Sequence, residues 1–214
     1  MQIQDYIDHT LLKPIATISD IEKLCKEAID HKFYAVCVNG CHTKLAKKQL
    51  QDSKVKLAVV IGFPLGAMST ESKVLEAQDC IGNGADEIDM VMNVGWLKSG
   101  KFNLVQQEIS SIKKAIGEKV LKVIIETCYL SKEEKIKACT LALEAGADFV
   151  KTSTGFGTGG ATLEDVKLMK EVVGSKAKIK ASGGIKDRVT ALKYIALGVS
   201  RIGTSSGIAI ASIE

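Results

Sequence analysis

The stretch at residues 149–160 reads Phe149-Val150-Lys151-Thr152-Ser153-Thr154-Gly155-Phe156-Gly157-Thr158-Gly159-Gly160. A short apolar run, preceded by turn residues, ends in a lysine and is followed by small hydroxyl residues and a glycine-rich loop. This order predicts a buried strand that ends in a loop. Because glycine has no side chain, a ligand can approach the backbone of such a loop closely.

Lys151 is a candidate nucleophile because it lies at the end of this predicted strand, beside the loop. An amine attacks a carbonyl only when it is neutral, and at the ordinary lysine pKa only ~0.1% is neutral near pH 7. Burial or a second nearby cation raises that fraction. The alternative is that Lys151 only extends its ammonium group into solvent and has no role in chemistry.

The same alternation of strand and helix runs through all 214 residues, without a segment resembling a linker. It predicts a single-domain (β/α)8 TIM barrel over residues 1–214, of fold class α/β. An open doubly wound sheet is the alternative, but no Gly-x-Gly-x-x-Gly motif follows the first strand. The predicted strands are residues 5–10, 34–38, 56–61, 87–92, 121–126, 149–151, 178–181 and 200–203.

A two-residue period along these strands predicts a charged barrel interior. If Lys151 points inward, the inward set also holds Glu87, Asp89, Lys122, Glu126, Lys178 and Lys180. Unpaired charges there would be very costly, so they must pair or shift their pKa values. Glu87, Lys122 and Lys178 are expected to form structural ion pairs. Nearer the carboxyl ends, where barrel enzymes do chemistry, Asp89, Lys151 and Lys180 suit chemistry through a Schiff base.

Two further loops predict an anion site. Gly183-Gly184 follows the seventh strand, and Gly203-Thr204-Ser205-Ser206 follows the eighth and opens a helix. Barrels commonly hold a phosphate at these loops, through backbone amides and a helix N-terminus. The alternative is that both loops are only tight turns.

Composition narrows the class of protein. The net charge is +4, and no basic run is interleaved with aromatic residues, so nucleic acid is not expected as a partner. The apolar run at 57–68 is interrupted by glycine and proline, so no membrane span is expected, and the N-terminus lacks a signal-peptide layout. A cytoplasmic protein with six free thiols is therefore expected. Cys37, Cys41 and His42 resemble part of a zinc site, but no second ligand pair is evident and no metal is expected.

Seven segments together resemble the 2-deoxyribose-5-phosphate aldolase family of class I aldolases, which form a Schiff base. The segments cover the chain from end to end: residues 7–14 (IDHTLLKP), 35–39 (AVCVN), 87–95 (EIDMVMNVG), 122–127 (KVIIET), 150–156 (VKTSTGF), 180–185 (KASGGI) and 201–205 (RIGTS). The resemblance implies reversible cleavage of 2-deoxyribose 5-phosphate to acetaldehyde and glyceraldehyde 3-phosphate, in deoxyribose phosphate catabolism. It implies no metal and no organic cofactor, and a homo-oligomer, either a dimer or a tetramer.

The resemblance also implies roles for individual residues. Lys151 would form the Schiff base, Lys180 would lower its pKa, and Asp89 with Lys180 and a water would move protons. Cys37 and Thr154 would contact the substrate. The phosphate would be held by Gly155, Gly183, Gly184, Ser205 and Ser206.

One departure from the family pattern concerns the C-terminus. Many members end in a flexible tail with a terminal tyrosine that assists proton exchange, whereas this sequence ends Ala211-Ser212-Ile213-Glu214. Slower protonation of the enamine is therefore expected, measurable as slower deuterium exchange into acetaldehyde than in a relative with the tyrosine tail. Three other functions remain open: a transaldolase-like Schiff-base enzyme, a phosphosugar-binding protein without catalysis, and a cofactor-free phosphosugar isomerase.

Overall fold

Eight parallel strands form a closed barrel, each hydrogen-bonded to the next along the chain and the last to the first. The structure is a computed structural model that describes residues 2–212. It confirms the predicted (β/α)8 fold and excludes the open doubly wound sheet. The strands are β1 (Ile7–Leu11), β2 (Ala35–Asn39), β3 (Lys56–Ile61), β4 (Glu87–Val91), β5 (Val120–Ile124), β6 (Phe149–Lys151), β7 (Lys178–Ser182) and β8 (Arg201–Thr204).

Helices surround the barrel and alternate with its strands. They are α1 (Ile18–Asp30), α2 (Thr43–Gln49), α3 (Thr70–Gly82), α4 (Val94–Lys98), α5 (Phe102–Ile116), α6 (Lys132–Glu144), α7 (Leu163–Val173), α8 (Arg188–Ala196) and α9 (Gly207–Ala211). Short 3-10 helices span Ile3–Tyr6, Gly40–His42 and Thr127–Tyr129. Among residues 2–212, no helix combines the length and the apolar character needed to cross a bilayer.

The main hydrophobic core lies between the strands and the helices. Alternate strand residues, such as Ile88 and Met90 on β4, point outward and are fully buried under the helices. The barrel interior has a separate small apolar cluster, Leu12, Cys37, Ala58 and Val60, on the side of β2 and β3. Most of the remaining interior side chains are charged, as the two-residue period predicted, and the buried apolar residues Val91, Ile124 and Phe149 lie among them.

Two predicted strands have an end that differs from the structure by two residues, and four others differ by one residue at one or both ends. The predicted first strand starts at residue 5, but residues 3–6 form a 3-10 helix and β1 begins at Ile7. The predicted fifth strand extends to Glu126, but β5 ends at Ile124. The reason is that Glu126 adopts a left-handed backbone conformation, with φ 55° and ψ 68°. A strand cannot continue through that conformation.

Candidate active site

Asp89 lies at the centre of a buried cluster of charges inside the barrel. Its Oδ2 accepts hydrogen bonds from Lys151 Nζ at 2.9 Å and Lys180 Nζ at 2.8 Å. Its Oδ1 accepts one from Lys122 Nζ at 2.7 Å. The strand register explains this convergence, since Asp89 pairs with Lys122 across β4 and β5, and Lys151 pairs with Lys180 across β6 and β7. The structure thus brings together the three residues predicted to do the chemistry.

Two more carboxylates and an arginine extend the cluster. Lys180 Nζ lies 2.5 Å from Asp8 Oδ2, and Lys122 Nζ lies 2.5 Å from Glu87 Oε2. Arg201 bridges these two carboxylates, at 2.5 Å from Asp8 Oδ1 and 2.6 Å from Glu87 Oε1. Every carboxylate in the interior therefore has two or three cationic partners, which offsets the cost of burying the charges.

The two lysines that share Asp89 Oδ2 differ in their electrostatics. Burial lowers the pKa of Lys151. The negative charge of Asp89 opposes this effect and the positive charge of Lys180 adds to it, so the pKa of Lys151 lies below the ordinary lysine value. Burial also acts to lower the pKa of Lys180, but the negative charges of Asp8 and Asp89 outweigh it and hold that pKa above the ordinary value. Lys151 is therefore the amine that more readily becomes neutral.

Asp89 itself stays ionised. Burial acts to raise its pKa, but the charges of Lys122, Lys151 and Lys180 outweigh burial and hold the pKa well below the ordinary value. Lys122 is held charged in the same way, since burial lowers its pKa but Asp89 and Glu87 raise it to a net value above the ordinary one.

A cavity of about 400 Å³ opens above this cluster at the carboxyl ends of the strands. This volume falls within the range typical of small-molecule sites. Lys151 is the member of the charge cluster that lines it. The other predicted site residues on its wall are Thr154, Gly155, Gly183, Gly184 and Ser205.

The glycine loops shape one side of this cavity. Gly183 and Gly184 have φ values of 88° and 82°, which residues with a side chain rarely adopt. A Cβ on Gly160 would lie only 2.3 Å from the carbonyl oxygen of Gly183, so the loops after β6 and β7 are in direct contact. Two exposed lysines that the sequence did not suggest, Lys13 and Lys186, also line this cavity. Exposed backbone and two cations together make an environment suited to an anion.

Four predicted site residues lie away from the cavity wall. Asp89 and Lys180 are fully buried beneath the wall, and Asp89 Oδ2 accepts hydrogen bonds from both Lys151 and Lys180. Cys37 is fully buried in the small apolar cluster, where burial raises the pKa of its thiol. The backbone N–H of Ser206 donates to Thr204 Oγ1 at 2.9 Å.

The structure corrects the expectations for two of the residues predicted to point into the interior. Lys178 shares a face with Lys180, and its ammonium lies 5.7 Å from the ring centroid of Phe149. It is exposed and, within residues 2–212, forms no ion pair, because it is the first residue of β7 and lies at the amino-terminal end of the barrel. The side chain of Glu126 instead accepts hydrogen bonds from Thr154. Asp8 and Arg201 were missed, although the same two-residue period on β1 and β8 would have found them.

The zinc-like fragment does not assemble a metal site. Cys37 is buried whereas Cys41 is exposed, and all six cysteines are free. Within residues 2–212, no group of three or more His, Cys, Asp or Glu side chains is placed to hold a metal ion. The predicted effect of the C-terminal sequence concerns Ile213 and Glu214, which lie outside the described residues.

The fold and the site together define a barrel protein suited to covalent lysine chemistry on a carbonyl compound. Comparison with known proteins narrows this class. The model of the DeoC/LacD family of aldolases matches residues 3–211. The deoxyribose-phosphate aldolase of Finegoldia magna is 58% identical over 210 residues, covering 98% of this chain and 99% of that protein.

Solved structures agree with the family match. A putative deoxyribose-phosphate aldolase from Coccidioides immitis superposes with a TM-score of 0.96 at 42% identity, covering 99% of this chain and 85% of that one. A tetrameric deoxyribose phosphate aldolase from Aeropyrum pernix gives 0.90 at 34% identity, covering 98% and 89%. The chain belongs to the DeoC/LacD family of aldolases, and it is an aldolase, a lyase by reaction class.

Proposed function

We propose that this enzyme reversibly cleaves 2-deoxy-D-ribose 5-phosphate to acetaldehyde and D-glyceraldehyde 3-phosphate through a Schiff base on Lys151. The observation that carries the proposal is the contrast within the charge cluster. Lys151 lines the cavity and has a lowered pKa, whereas Lys122 and Lys180 are fully buried and have raised ones. A lysine with a depressed pKa at a cavity wall is the nucleophile that carbonyl chemistry needs.

The cleavage follows from this arrangement. Neutral Lys151 attacks the open-chain aldehyde carbon, and loss of water gives a protonated imine that accepts electrons. Deprotonation of the C3 hydroxyl breaks the C2–C3 bond and releases glyceraldehyde 3-phosphate. The remaining enamine takes up a proton, and water then hydrolyses the imine to free acetaldehyde and Lys151. Each step conserves atoms and needs no external oxidant or reductant.

Asp89 and Lys180 support these steps in the proposed mechanism. The Asp89 carboxylate, 2.9 Å from Lys151 Nζ, would stabilise the cationic imine. Lys180 keeps a positive charge beside Lys151, which favours the neutral form of the nucleophile. We assign the proton transfers to this pair acting with a water.

The phosphate would bind at the loops after β6, β7 and β8. Gly155, Gly183, Gly184 and Ser205 line the same cavity as Lys151, and Lys186 and Lys13 add positive charge there. Ser206 is the following residue on the β8 loop. Thr154, also on the wall, would contact the sugar chain, and Cys37 would contribute from the small apolar cluster inside the barrel.

A trapping experiment tests the proposal. The protein is mixed with acetaldehyde, reduced with borohydride and digested for mass spectrometry. We expect an ethyl group on Lys151 in the native protein and none on that residue's peptide in Lys151→Leu. Lys178→Leu, which changes an exposed lysine on the next strand, is the matched control and should still be labelled.

Each outcome separates the competing functions. An ethyl group on Lys180 would reverse the roles of the two lysines. A folded protein without any adduct would overturn the aldolase mechanism in favour of the isomerase or the binding protein. Acetaldehyde as the donor, rather than a ketose, distinguishes the proposed reaction from that of a transaldolase-like enzyme.

The assembly and the location belong to the proposal as well. We propose a cytoplasmic homo-oligomer without a nucleic-acid partner. The tetrameric relative from Aeropyrum pernix supports an oligomer, and the six free thiols agree with a reducing compartment. Light scattering on the purified protein would give the assembly mass, and a monomer mass would contradict the oligomer.

A further inference from the structure

Glu126 has an unusual backbone for a buried residue that is not glycine. It is 3% exposed, follows β5 and has φ 55° and ψ 68°. The N–H groups of Ile125 and Thr127 donate to the carbonyls of Lys151 and Thr152, both at 3.0 Å. The two donors are two residues apart on one segment, but their acceptors are adjacent residues on the other. In a regular ladder these spacings would be equal, so Glu126 is the extra residue of a bulge. A bulge re-aims a side chain, and strained backbone of this kind often marks functional positions.

The bulge aims the Glu126 carboxylate at one residue of the cavity wall, Thr154. The backbone N–H of Thr154 donates to Glu126 Oε1 at 3.2 Å and Oε2 at 3.3 Å. Its hydroxyl also donates to Glu126 Oε2. The Cys128 thiol also donates to Glu126 Oε1, at 3.9 Å. Within residues 2–212, no Lys, Arg or His side chain lies within ion-pair distance of this carboxylate, so its shorter contacts are those to Thr154.

These bonds determine whether the Thr154 hydroxyl can donate or accept a hydrogen bond on the side of the cavity. A hydroxyl has one proton to donate and two lone pairs to accept with. Glu126 takes the proton, and the Phe156 N–H donates to one lone pair at 3.0 Å. The remaining lone pair can only accept, so Thr154 offers the cavity an acceptor and not a donor.

The surrounding loop holds this arrangement in place. A Cβ on Gly157 would lie 2.8 Å from Cys128 Sγ and 3.3 Å from Glu126 Cδ, so the glycine loop packs directly on the bulge. The Phe156 ring meets the Phe63 ring edge-on at 5.3 Å. Because the loop and the bulge are in contact, Thr154 is held on both sides.

We propose that Glu126 is a positioning residue that makes Thr154 a hydrogen-bond acceptor for a hydroxyl of the substrate, and so selects hydroxylated aldehydes. The inference rests on the proposed aldolase function. The open-chain phosphosugar has hydroxyls on C3 and C4, between the aldehyde and the phosphate. The C3 hydroxyl is consumed by the cleavage, so the C4 hydroxyl is the one whose recognition can be measured separately.

The experiment compares cleavage of 2-deoxyribose 5-phosphate with cleavage of its analogue lacking the C4 hydroxyl. We expect the native enzyme to prefer the natural substrate in kcat/KM. In Glu126→Gln, the amide can donate to the Thr154 hydroxyl as well as accept from it, so the direction of the hydroxyl proton is no longer fixed. The substrate hydroxyl then loses its pre-oriented acceptor, and the preference should fall by up to about tenfold, the effect of one hydrogen bond. Borohydride trapping of acetaldehyde on Lys151 should stay within about twofold of native, since that step involves no sugar hydroxyl.

Two further variants keep the test decisive. Thr154→Val removes the hydroxyl at nearly constant shape and should lose the same preference even if Glu126→Gln folds poorly. Glu118→Gln makes the same chemical change at an exposed residue before β5 and should behave as native. An equal loss of kcat/KM on both substrates would show a merely structural role and overturn the inference. A native enzyme that cleaves neither substrate would instead contradict the proposed function.

Discussion

At the scale of single residues, the difference between two lysines determines the proposed chemistry. Lys151 and Lys180 both donate to Asp89 Oδ2, at 2.9 and 2.8 Å. Lys180 has a second carboxylate, Asp8, at 2.5 Å, whereas within residues 2–212 no second carboxylate lies within ion-pair distance of Lys151. Asp8, a residue of β1, therefore makes the pKa values of the two amines differ.

Removing the charge of Lys180 should raise the pKa of Lys151. In Lys180→Met the repulsion that favours neutral Lys151 is lost, while the attraction of Asp89 for the protonated form remains. Because the neutral amine is the reactive form, the ascending limb of kcat/KM against pH should move to higher pH. Activity near pH 7 should fall by at least about tenfold, since each pKa unit changes the neutral fraction tenfold.

Two companion variants isolate the charge from the shape of the side chain. Lys180→Arg keeps a cation at this position and should keep the ascending limb near its native pH, whatever the maximal rate. Lys178→Met removes an exposed cation from the same strand and should leave the profile unchanged. A Lys180→Met profile with the native midpoint would show that Lys180 does not tune the pKa of Lys151.

How well individual residues could be predicted depended on how regular their strands are. The two-residue period placed Asp89, Lys151 and Lys180 on one side because β4, β6 and β7 are regular there. It failed at Glu126, because a bulge breaks the period there and the amino-acid composition around Glu126 does not indicate one. The ion pair expected for Lys178 is absent from residues 2–212, because the period predicts which face a residue takes and not how near the barrel end it lies.

At the scale of secondary-structure elements, a second buried ion pair connects two helices to the end of β4. Lys73 on α3 and Glu108 on α5 are both fully buried, with Nζ and Oε1 2.8 Å apart. Lys73 Nζ also donates to the carbonyl of Val91 at 2.8 Å, and Asn93 N donates to Glu108 Oε2 at 3.2 Å. The pair thus supports the strand that carries Asp89.

Breaking this pair on one side should cost much more than replacing both partners. Lys73→Met leaves the Glu108 carboxylate buried without its cation, and a loss of about 3–5 kcal/mol in the free energy of unfolding is expected. Glu108→Leu should cost a similar amount. The double variant should lose less than the sum of the singles by about 2 kcal/mol, because it leaves no unpaired buried charge.

Urea unfolding of the four proteins gives this coupling free energy directly. Lys98→Met with Glu134→Leu is the matched control, since these residues form a partly exposed pair between α4 and α6. That pair should show a coupling of at most about 1 kcal/mol. Additive losses for Lys73 and Glu108 would mean that the contact contributes only through packing.

Helix ends are set by contacts that are local in sequence. Ser131 and Glu134 form a capping box at the start of α6, and Gly117 ends α5 with φ 58°. Strand ends depend on neighbouring strands, which are distant in sequence. The extra residue after β5, for example, is defined by its hydrogen bonds to β6.

At the scale of the whole molecule, the charge cluster connects strands on opposite sides of the barrel. Arg201 on β8 bonds to Asp8 on β1 and to Glu87 on β4, and its guanidinium lies 3.3 Å from the ring centroid of Tyr34. The repeated alternation of strand and helix was enough to predict a barrel. Which charges meet across its interior could not be predicted, because that depends on the stagger of the closed sheet.

Loss of Arg201 should make the whole barrel more sensitive to acid. Burial acts to raise the pKa of Asp8, but Lys180 and Arg201 outweigh it and hold the pKa below its ordinary value. A carboxylate with a lowered folded pKa adds stability above its ordinary pKa of about 4, and this stability is lost as the pH falls toward the folded pKa. In Arg201→Met one of the cations that oppose the effect of burial is gone, so the folded pKa of Asp8 should rise. We therefore expect acid unfolding, followed by circular dichroism, to have its midpoint at higher pH than in the native protein.

At pH 7 the free energy of unfolding of Arg201→Met should also fall by about 3–5 kcal/mol, since two buried carboxylates each lose a partner. Lys56→Met, which removes an exposed cation at the start of β3, should leave both quantities near native. If Arg201→Met loses stability at pH 7 but unfolds in acid at the native midpoint, the side chain contributes through packing, on Tyr34 among others, and its charge does not set the pKa of Asp8.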